Sequence, residues 1–477
     1  VVDRSAGTGR RIARNTISLF ASEASGRLIS FFANLILARH FDLDPFGQYA
    51  LAVNLVGLVA SFGDLGLNAL VVREVAGDKS QASRYLRASL FWRFASSWLM
   101  LGGLALWSYF AGYEPIQRMI VIAMGTRLVF DALSGGYVYL LQAHERMTVQ
   151  GWVVALGSLA RFLGLGLVVL LGGGVVAAAS VWSVVSAMTL GFLAALGFRN
   201  GWKPRWRDFD FADVRGILWA ALPLAVMGSL QMLYYRIDVV MLKSLAGNAS
   251  VALYHNAYRL LEAFLMLANM AALSALPALA ARRGDKDAFG ALAEKLFRFL
   301  IVGGLMMASV GAASARDLMP FLFGASYAAA GTVLALLFAS AAPFFLNALT
   351  VDVWTVRNPK RLAIWYLGLL VLNVALNIWW IPLNGSSGAA ASTLVCEWVG
   401  VACALPLILK EMPRGIGTRL RPLVLGAVLG ASVVWGLSCL WGGLQWVLLG
   451  PLLFGTVLIL SRGMTLEECR AMIRGIR

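Results

Sequence analysis

The stretch "LYYRIDVVMLKSL", residues 233–245, decides how this chain must be read. Arg236 and Asp238 lie near the end of a long apolar run, Ile217 to Leu242. An uncompensated charge at mid-bilayer costs about 3 kcal/mol on insertion scales, so such charges need another helix, water or an anionic ligand. Two residues apart, they are about 200° apart around a helix and cannot neutralise each other. The run reads as a transmembrane helix with two charges whose partners lie elsewhere.

The rest of the chain agrees. Sixty per cent of its 477 residues are hydrophobic, 13% are charged, and the mean hydropathy is +0.76. Soluble domains average roughly 45–50% apolar and about 25% charged. The class is therefore an all-α integral membrane protein. Windows of about 20 apolar residues give fourteen spans. They lie near 15–38, 46–72, 88–110, 116–142, 149–171, 175–198, 216–243, 250–277, 296–316, 326–352, 362–381, 387–409, 422–440 and 444–461. They must be helices, because an open strand leaves backbone groups unsatisfied in lipid.

Charge supports this map. The N-terminus, the even-numbered connections and the C-terminal tail hold 30 of the 40 Lys and Arg; the odd-numbered connections hold four, Arg39, Arg118, Lys243 and Arg316. The positive-inside rule then places both termini in the cytoplasm. The net charge of +16 is scattered over short loops, which speaks for topology and against a nucleic-acid partner. Cys396, Cys403, Cys439 and Cys469 show no paired spacing, so neither a disulfide framework nor a metal is expected. The first apolar run is followed by no small-residue cleavage site and reads as an uncleaved span.

The outer connections "GGGV" (172–175) and "WGGLQ" (441–445) are little more than turns. The inner segment 199–215 interleaves Trp202, Trp206, Phe209 and Phe211 with basic residues, which suits the headgroup layer. In the tail, 462–477, Thr465 and Glu468 have capping-box spacing, and Leu466, Cys469, Ile473 and Ile476 share one side, as in an amphipathic membrane-surface helix. The stretches "ARHFDLDPFGQYALA" and "KSLAGNASVALYHNA" share small-x-Tyr-x-x-Ala, at Tyr49 and Tyr254, hinting at a duplication. Six spans separate them, so the repeats would run parallel.

Six basic residues lie inside spans: Arg27, Arg93, Arg127, Arg161, Arg236 and Arg259. Arg93 is near a cytoplasmic end and is expected to snorkel. The other five are 7–11 residues from their outer ends, roughly 10–17 Å deep at 1.5 Å per residue. They form one layer. Glu23–Arg27, Arg127–Asp131 and Arg259–Glu262 have the spacing of same-face pairs. Of these, Arg127–Asp131 reads as structural. Arg161 and Arg236 have no carboxylate on their own helix face. Polar stripes run through spans one (Glu23, Arg27, Ser30, Asn34), two (Asn54, Gly57, Ser61, Asp64, Asn68), seven (Gln231, Tyr235, Asp238) and eight (His255, Asn256, Arg259, Glu262, Asn269). They fit either a water-filled cavity or interhelical hydrogen bonding. His255, alone near a helix end, reads as an interfacial residue rather than a proton relay. Glu23, Asp64, Glu262 and Glu397 lie within spans, where carboxylates suit ion coupling.

Three stretches resemble polysaccharide transporters of the Wzx type. They are "GQYALAVNLVGLVASFGDLGLNALVVREVA", "LFGASYAAA" (322–330) and "LNVALNIWWIPLNGSSGAAAST" (372–393), with Asn373, Asn377 and Pro382 in the last. The family belongs to the multidrug/oligosaccharidyl-lipid/polysaccharide (MOP) exporter superfamily. The resemblance implies two pseudo-symmetric six-helix lobes, 1–198 and 216–409, joined by the linker 199–215, with two extra helices in 410–461. It implies a central cavity lined by helices 1, 2, 7 and 8. It also implies a flippase, not an enzyme, that moves undecaprenyl-diphosphate-linked oligosaccharide to the outer leaflet of a bacterial cytoplasmic membrane by alternating access. No cofactor is implied; the partners are the lipid-linked glycan, membrane lipid, a polysaccharide polymerase and a chain-length regulator.

On that reading Arg27, Arg236 and Arg259 bind diphosphate through charge-assisted, fork-shaped hydrogen bonds. Asn34, Asn54, Ser61, Gln231, Tyr235, Asn256 and Asn269 line the cavity. A lipid II flippase is the alternative on the same scaffold, although the Pro-Asn expected in the second helix is lacking. A cation-coupled multidrug antiporter would favour acidic residues over arginines. A membrane-embedded glycosyltransferase needs carboxylates or a catalytic loop at the outer face, where these loops are short.

Overall fold

A computed structural model describes residues 22, 24–64, 67–204, 206–412, 416–461 and 463–464. Among them there is helix and no strand. The first helix, α1, covers 24–40. It is followed by α2 (Leu43–Asp64), α3 (Leu67–Gly77), α4 (Ala82–Phe110), α5 (Pro115–Gly125), α6 (Arg127–Ala143), α7 (Met147–Leu170) and α8 (Val175–Arg199). Then come α9 (Phe211–Ala281), α10 (Lys286–Phe323), α11 (Ala330–Ala339), α12 (Ala341–Arg357), α13 (Pro359–Leu409), α14 (Ile416–Leu440) and α15 (Trp446–Leu460). Most of the proposed tail, 462–477, lies outside the described residues.

Each of the fourteen apolar windows falls mostly on helix where it is described. By length and hydropathy alone, eight helices among the described residues can cross a membrane, or nine if α11 and α12, bent by 43° where they meet at Ser340, form one span. The count is lower partly because α9 and α13 are each two helices run together. α9 breaks at Gly247 (φ 80°, ψ 179°) and α13 at Gly385 (φ 54°, ψ −130°). Residues with a Cβ rarely adopt either conformation, so glycine lets the chain reverse there. Both breaks fall in the gaps between windows, 244–249 and 382–386.

Large apolar side chains stay exposed along these helices, among them Leu99, Phe110, Leu170, Leu448 and Leu460. Such surface is stable against lipid and not against water. The protein is a multi-pass membrane protein.

The chain divides into two compact units, Val1–Arg236 and Ile237–Arg477. In the first, α6 packs against α3, α4 and α8, and α2 lies against α4 and α5. Asp213, in the first turn of α9, accepts from Arg84 at 2.6 Å and pairs with Arg87 at 3.7 Å. In the second unit α10 packs against α11, α12, α14 and α15. Asp285 caps α10 by accepting from the Asp287 and Ala288 amides, and Asn358 caps α13 through the Arg361 amide.

Three expectations change. Trp202 is only 8% exposed and belongs to the core with Leu86, Val75 and Leu140, its ring against His144 at 4.7 Å. It anchors the segment 199–215, while Trp206, Phe209 and Phe211 are exposed aromatics there. Arg93 does not snorkel: it is 5% exposed, donates to the Ala132 carbonyl at 3.2 Å and to the Tyr139 hydroxyl, and lies over the Tyr139 ring. Facing its own unit, it has acceptors that an interfacial position would not supply. His255 is buried rather than interfacial.

Candidate functional site

The two charges of the opening stretch turn to different partners. Within the first unit, Arg236 Nη1 donates to Asn54 Oδ1 at 3.0 Å. Asn54 is 4% exposed, and its own Nδ2 donates to the Ala50 carbonyl at 2.7 Å. The amide is thus fixed with its oxygen turned to the guanidinium. Gly57, on the same helix, has the Met232 methyl 4.0 Å from where its Cβ would be, so α2 and the start of α9 lie side by side. That bond is to a neutral amide: it orients Arg236 without cancelling its charge.

Within the second unit, Asp238 is 3% exposed. It accepts from the Tyr254 hydroxyl and, at 2.8 Å, from the Val239 amide. Tyr254 is also 3.3 Å from Thr393 Oγ1. A buried carboxylate is tolerable there because its lone pairs are met by hydrogen-bond donors.

Besides Arg93 on α4, the other in-span arginines of the first unit lie on α1, α6 and α7. Arg27 is exposed on α1. Beside it, a Cβ on Gly26 would sit 3.0 Å from Ser158 Oγ, so α1 and α7 approach closely. The same Ser158 hydroxyl accepts from Arg161 Nη2 at 3.3 Å. Arg127 opens α6 just after Thr126, whose hydroxyl contacts Ser183 at 2.7 Å. Its Nε is 3.4 Å from Asp131 Oδ2, the i,i+4 pair expected from spacing. Arg127 and Arg161 both stack on Trp182, 4.6 and 4.9 Å from its ring centre. The Trp182 indole donates to the Tyr49 hydroxyl at 2.7 Å. Tyr49 and Tyr254, the tyrosines of the two similar stretches, thus each sit in a buried polar cluster of their own unit.

The remaining residues singled out in the sequence fall as follows. Arg259 pairs with Glu262 at 3.6 Å in the second unit, as their spacing requires. Glu397 is fully buried and accepts from Asn347 Nδ2 at 2.7 Å. Asn34 and Asn256 are buried; Ser61, Gln231 and Tyr235 are half-buried, with the Ser61 hydroxyl on the Leu58 carbonyl. Glu23 lies outside the described residues, as do the side chains of Asp64 and Asn269. The structure adds Trp182, Tyr49 and Ser158, whose involvement no spacing along the chain announces.

Comparison with known proteins gives a consistent result. The family described as "Polysaccharide biosynthesis protein" matches residues 12–281. "Probable flippase AglR" of Haloferax volcanii is 23% identical over 427 residues, covering 86% of this chain and 85% of that protein. Lipid II flippase MurJ, in its inward closed conformation, superposes with a TM-score of 0.73 at 14% identity, covering 94% of this chain and 98% of MurJ. An inward-facing multidrug resistance MATE transporter of the MOP superfamily gives a TM-score of 0.63 at 18% identity, covering 83% and 95%. At these identities the solved structures establish the fold: that of MurJ and the MATE transporters.

Proposed function

The chain belongs to the polysaccharide biosynthesis protein family, and from that premise we propose that it is a flippase for a lipid-diphosphate-linked oligosaccharide. The cargo is an undecaprenyl-diphosphate sugar carried from the cytoplasmic to the outer leaflet of a bacterial cytoplasmic membrane, both termini being cytoplasmic. No bond is made or broken. The names of AglR and MurJ, both flippases, support a lipid-linked cargo.

The observation that carries the reading is two in-span arginines of the first unit, Arg236 aimed by Asn54 and Arg27 exposed. A diphosphate cannot enter hydrocarbon bare, and guanidinium groups meet its oxygens with paired, charge-assisted hydrogen bonds. Arg27 and Arg236 grip the diphosphate. Arg259, paired with Glu262, is a further diphosphate-binding candidate. The polar residues Asn34, Asn54, Ser61, Gln231, Tyr235, Asn256 and Asn269 serve the sugars or orient the arginines. At least one of Glu23, Asp64, Glu262 and Glu397 carries a coupling cation.

The test is a reconstituted flipping assay on vesicles holding defined lipid-diphosphate sugars, lipid II among them, with and without ion gradients. Transfer of the oligosaccharide lipid that fails in Arg27→Ala and Arg236→Ala supports the reading. Transfer of lipid II alone, or of cationic drugs alone, would sink it.

A further inference from the structure

We propose that Arg127 and Arg161, held on Trp182, form a second anion subsite in the first unit, one that takes the carboxylate of an acidic sugar in the carried glycan. This inference rests on the flippase reading above and narrows its substrate class.

The cluster is built from four helices. Tyr49 of α2 anchors the Trp182 indole of α8, and the Trp182 ring carries Arg127 of α6 and Arg161 of α7. Stacking on an aromatic ring uses the face of a guanidinium and leaves its N–H donors pointing outward in the plane. Few of those donors are met within the protein. Arg127 Nε and Nη1 and Arg161 Nε are buried and make no hydrogen bond among the described residues. The Arg127–Asp131 contact is an ion pair, and the Arg161 bond to Ser158 is a long one. Leaving such donors unmet is costly. Among the described residues, two guanidinium charges of this cluster stand against the one carboxylate of Asp131.

The cluster reaches the molecular surface at Asp131. The side chain of Asp131 is 48% exposed near the middle of its span. A carboxylate exposed to lipid at that depth costs about 3 kcal/mol, so an aqueous space is the lower-energy setting for the exposed side of Asp131. The ligand that fits is a carboxylate, which accepts charge-assisted hydrogen bonds from guanidinium N–H donors such as Arg161 Nε and Arg127 Nη1. Its source is set by the neighbours. Arg161 donates to the Ser158 hydroxyl, and Ser158 lies against Gly26 of α1, the residue before Arg27. On the flippase reading, the ligand is a carboxylate of the glycan whose diphosphate sits at Arg27, on the helix next to this cluster.

The experiment measures binding to purified protein of two undecaprenyl-diphosphate oligosaccharides that differ only in one hexose replaced by its uronic acid. The parent protein should bind the acidic one about tenfold more tightly, a difference of about 1.4 kcal/mol. Arg161→Gln should erase that preference and leave binding of the neutral lipid within about twofold, because Arg127 keeps Asp131 neutralised. Arg161→Lys, which keeps the charge but not the fork, should show an intermediate preference. Equal weakening of both lipids by Arg161→Gln would mean the cluster grips the diphosphate, and would overturn the proposal. So would a parent with no preference, or two Arg161 variants that both fail to fold, since the cluster would then be structural packing. A parent that binds neither lipid overturns the flippase reading itself, and this subsite with it.

Discussion

Arg236 Nη1 donates to Asn54 Oδ1 at 3.0 Å, joining two residues 182 positions apart in the chain. A hydrogen bond to a charged group contributes about 1.5–3 kcal/mol net, enough to hold a guanidinium in one orientation. Asn54→Ala is therefore expected to weaken lipid-diphosphate binding by about tenfold, about 1.4 kcal/mol, while Arg236 itself is untouched. Isothermal titration on purified protein checks this; affinity equal to the parent's would show that Asn54 does not aim Arg236.

Arg127 and Asp131 should behave as a coupled pair. Arg127→Ala leaves Asp131 without its partner at 3.4 Å and removes a guanidinium from Trp182. Folded yield and thermal stability should fall, and adding Asp131→Ala should restore part of the loss. Because Asp131 is half-exposed, solvent screening keeps the coupling to about 0.2–1 kcal/mol. A double-mutant cycle in thermal denaturation measures it, and strict additivity would contradict the pairing.

Tyr254 protects a buried charge. Tyr254→Phe removes the hydroxyl that donates to Asp238 and keeps the ring. Loss of a donor to a buried carboxylate should cost about 1–3 kcal/mol, read as a lower unfolding temperature in detergent. Tyr254→Phe combined with Asp238→Asn should be less destabilised than Tyr254→Phe alone, because the buried charge is gone. Equal stability of Tyr254→Phe and the parent would show that the other contacts of Asp238 suffice.

Topology is testable on intact cells. With native cysteines removed, a cysteine at Gly173 should react with an impermeant reagent from outside, and one at Lys203 only after the cells are opened. Labelling at Lys203 from outside would reverse the orientation inferred from Lys and Arg.

Much of the fold was legible because lipid constrains the backbone so tightly. An apolar run of about 20 residues has to be a helix, and the reversals at Gly247 and Gly385 fall between such runs. The bend at Ser340 was not legible, since the residues around it are as apolar as the helix they interrupt. Same-helix pairs such as Arg127–Asp131 and Arg259–Glu262 follow from spacing alone. Contacts across helices do not. Arg93 looked interfacial from its position, and Tyr139, 46 residues away, turned it inward. Trp202 looked like a headgroup aromatic, yet it packs on His144. Trp182 carried no signal in the sequence: a tryptophan in an apolar run reads as lipid-facing until two arginines from other helices are seen on its ring.

The central claim is that Arg236 grips a diphosphate through its fork. The most direct measurement is binding of an undecaprenyl-diphosphate oligosaccharide to purified Arg236→Lys and Arg236→Ala, each also followed by thermal denaturation. Arg236→Ala leaves the buried Asn54 oxygen without this donor, so a loss of about 1–3 kcal/mol in stability is expected, with the protein still folded. Both variants should lose most of their affinity, because lysine offers a point charge where arginine offers two parallel donors. An Arg236→Lys protein that binds like the parent would show that charge alone suffices. A folded Arg236→Ala protein that binds like the parent would show that Arg236 is structural and contradict the account.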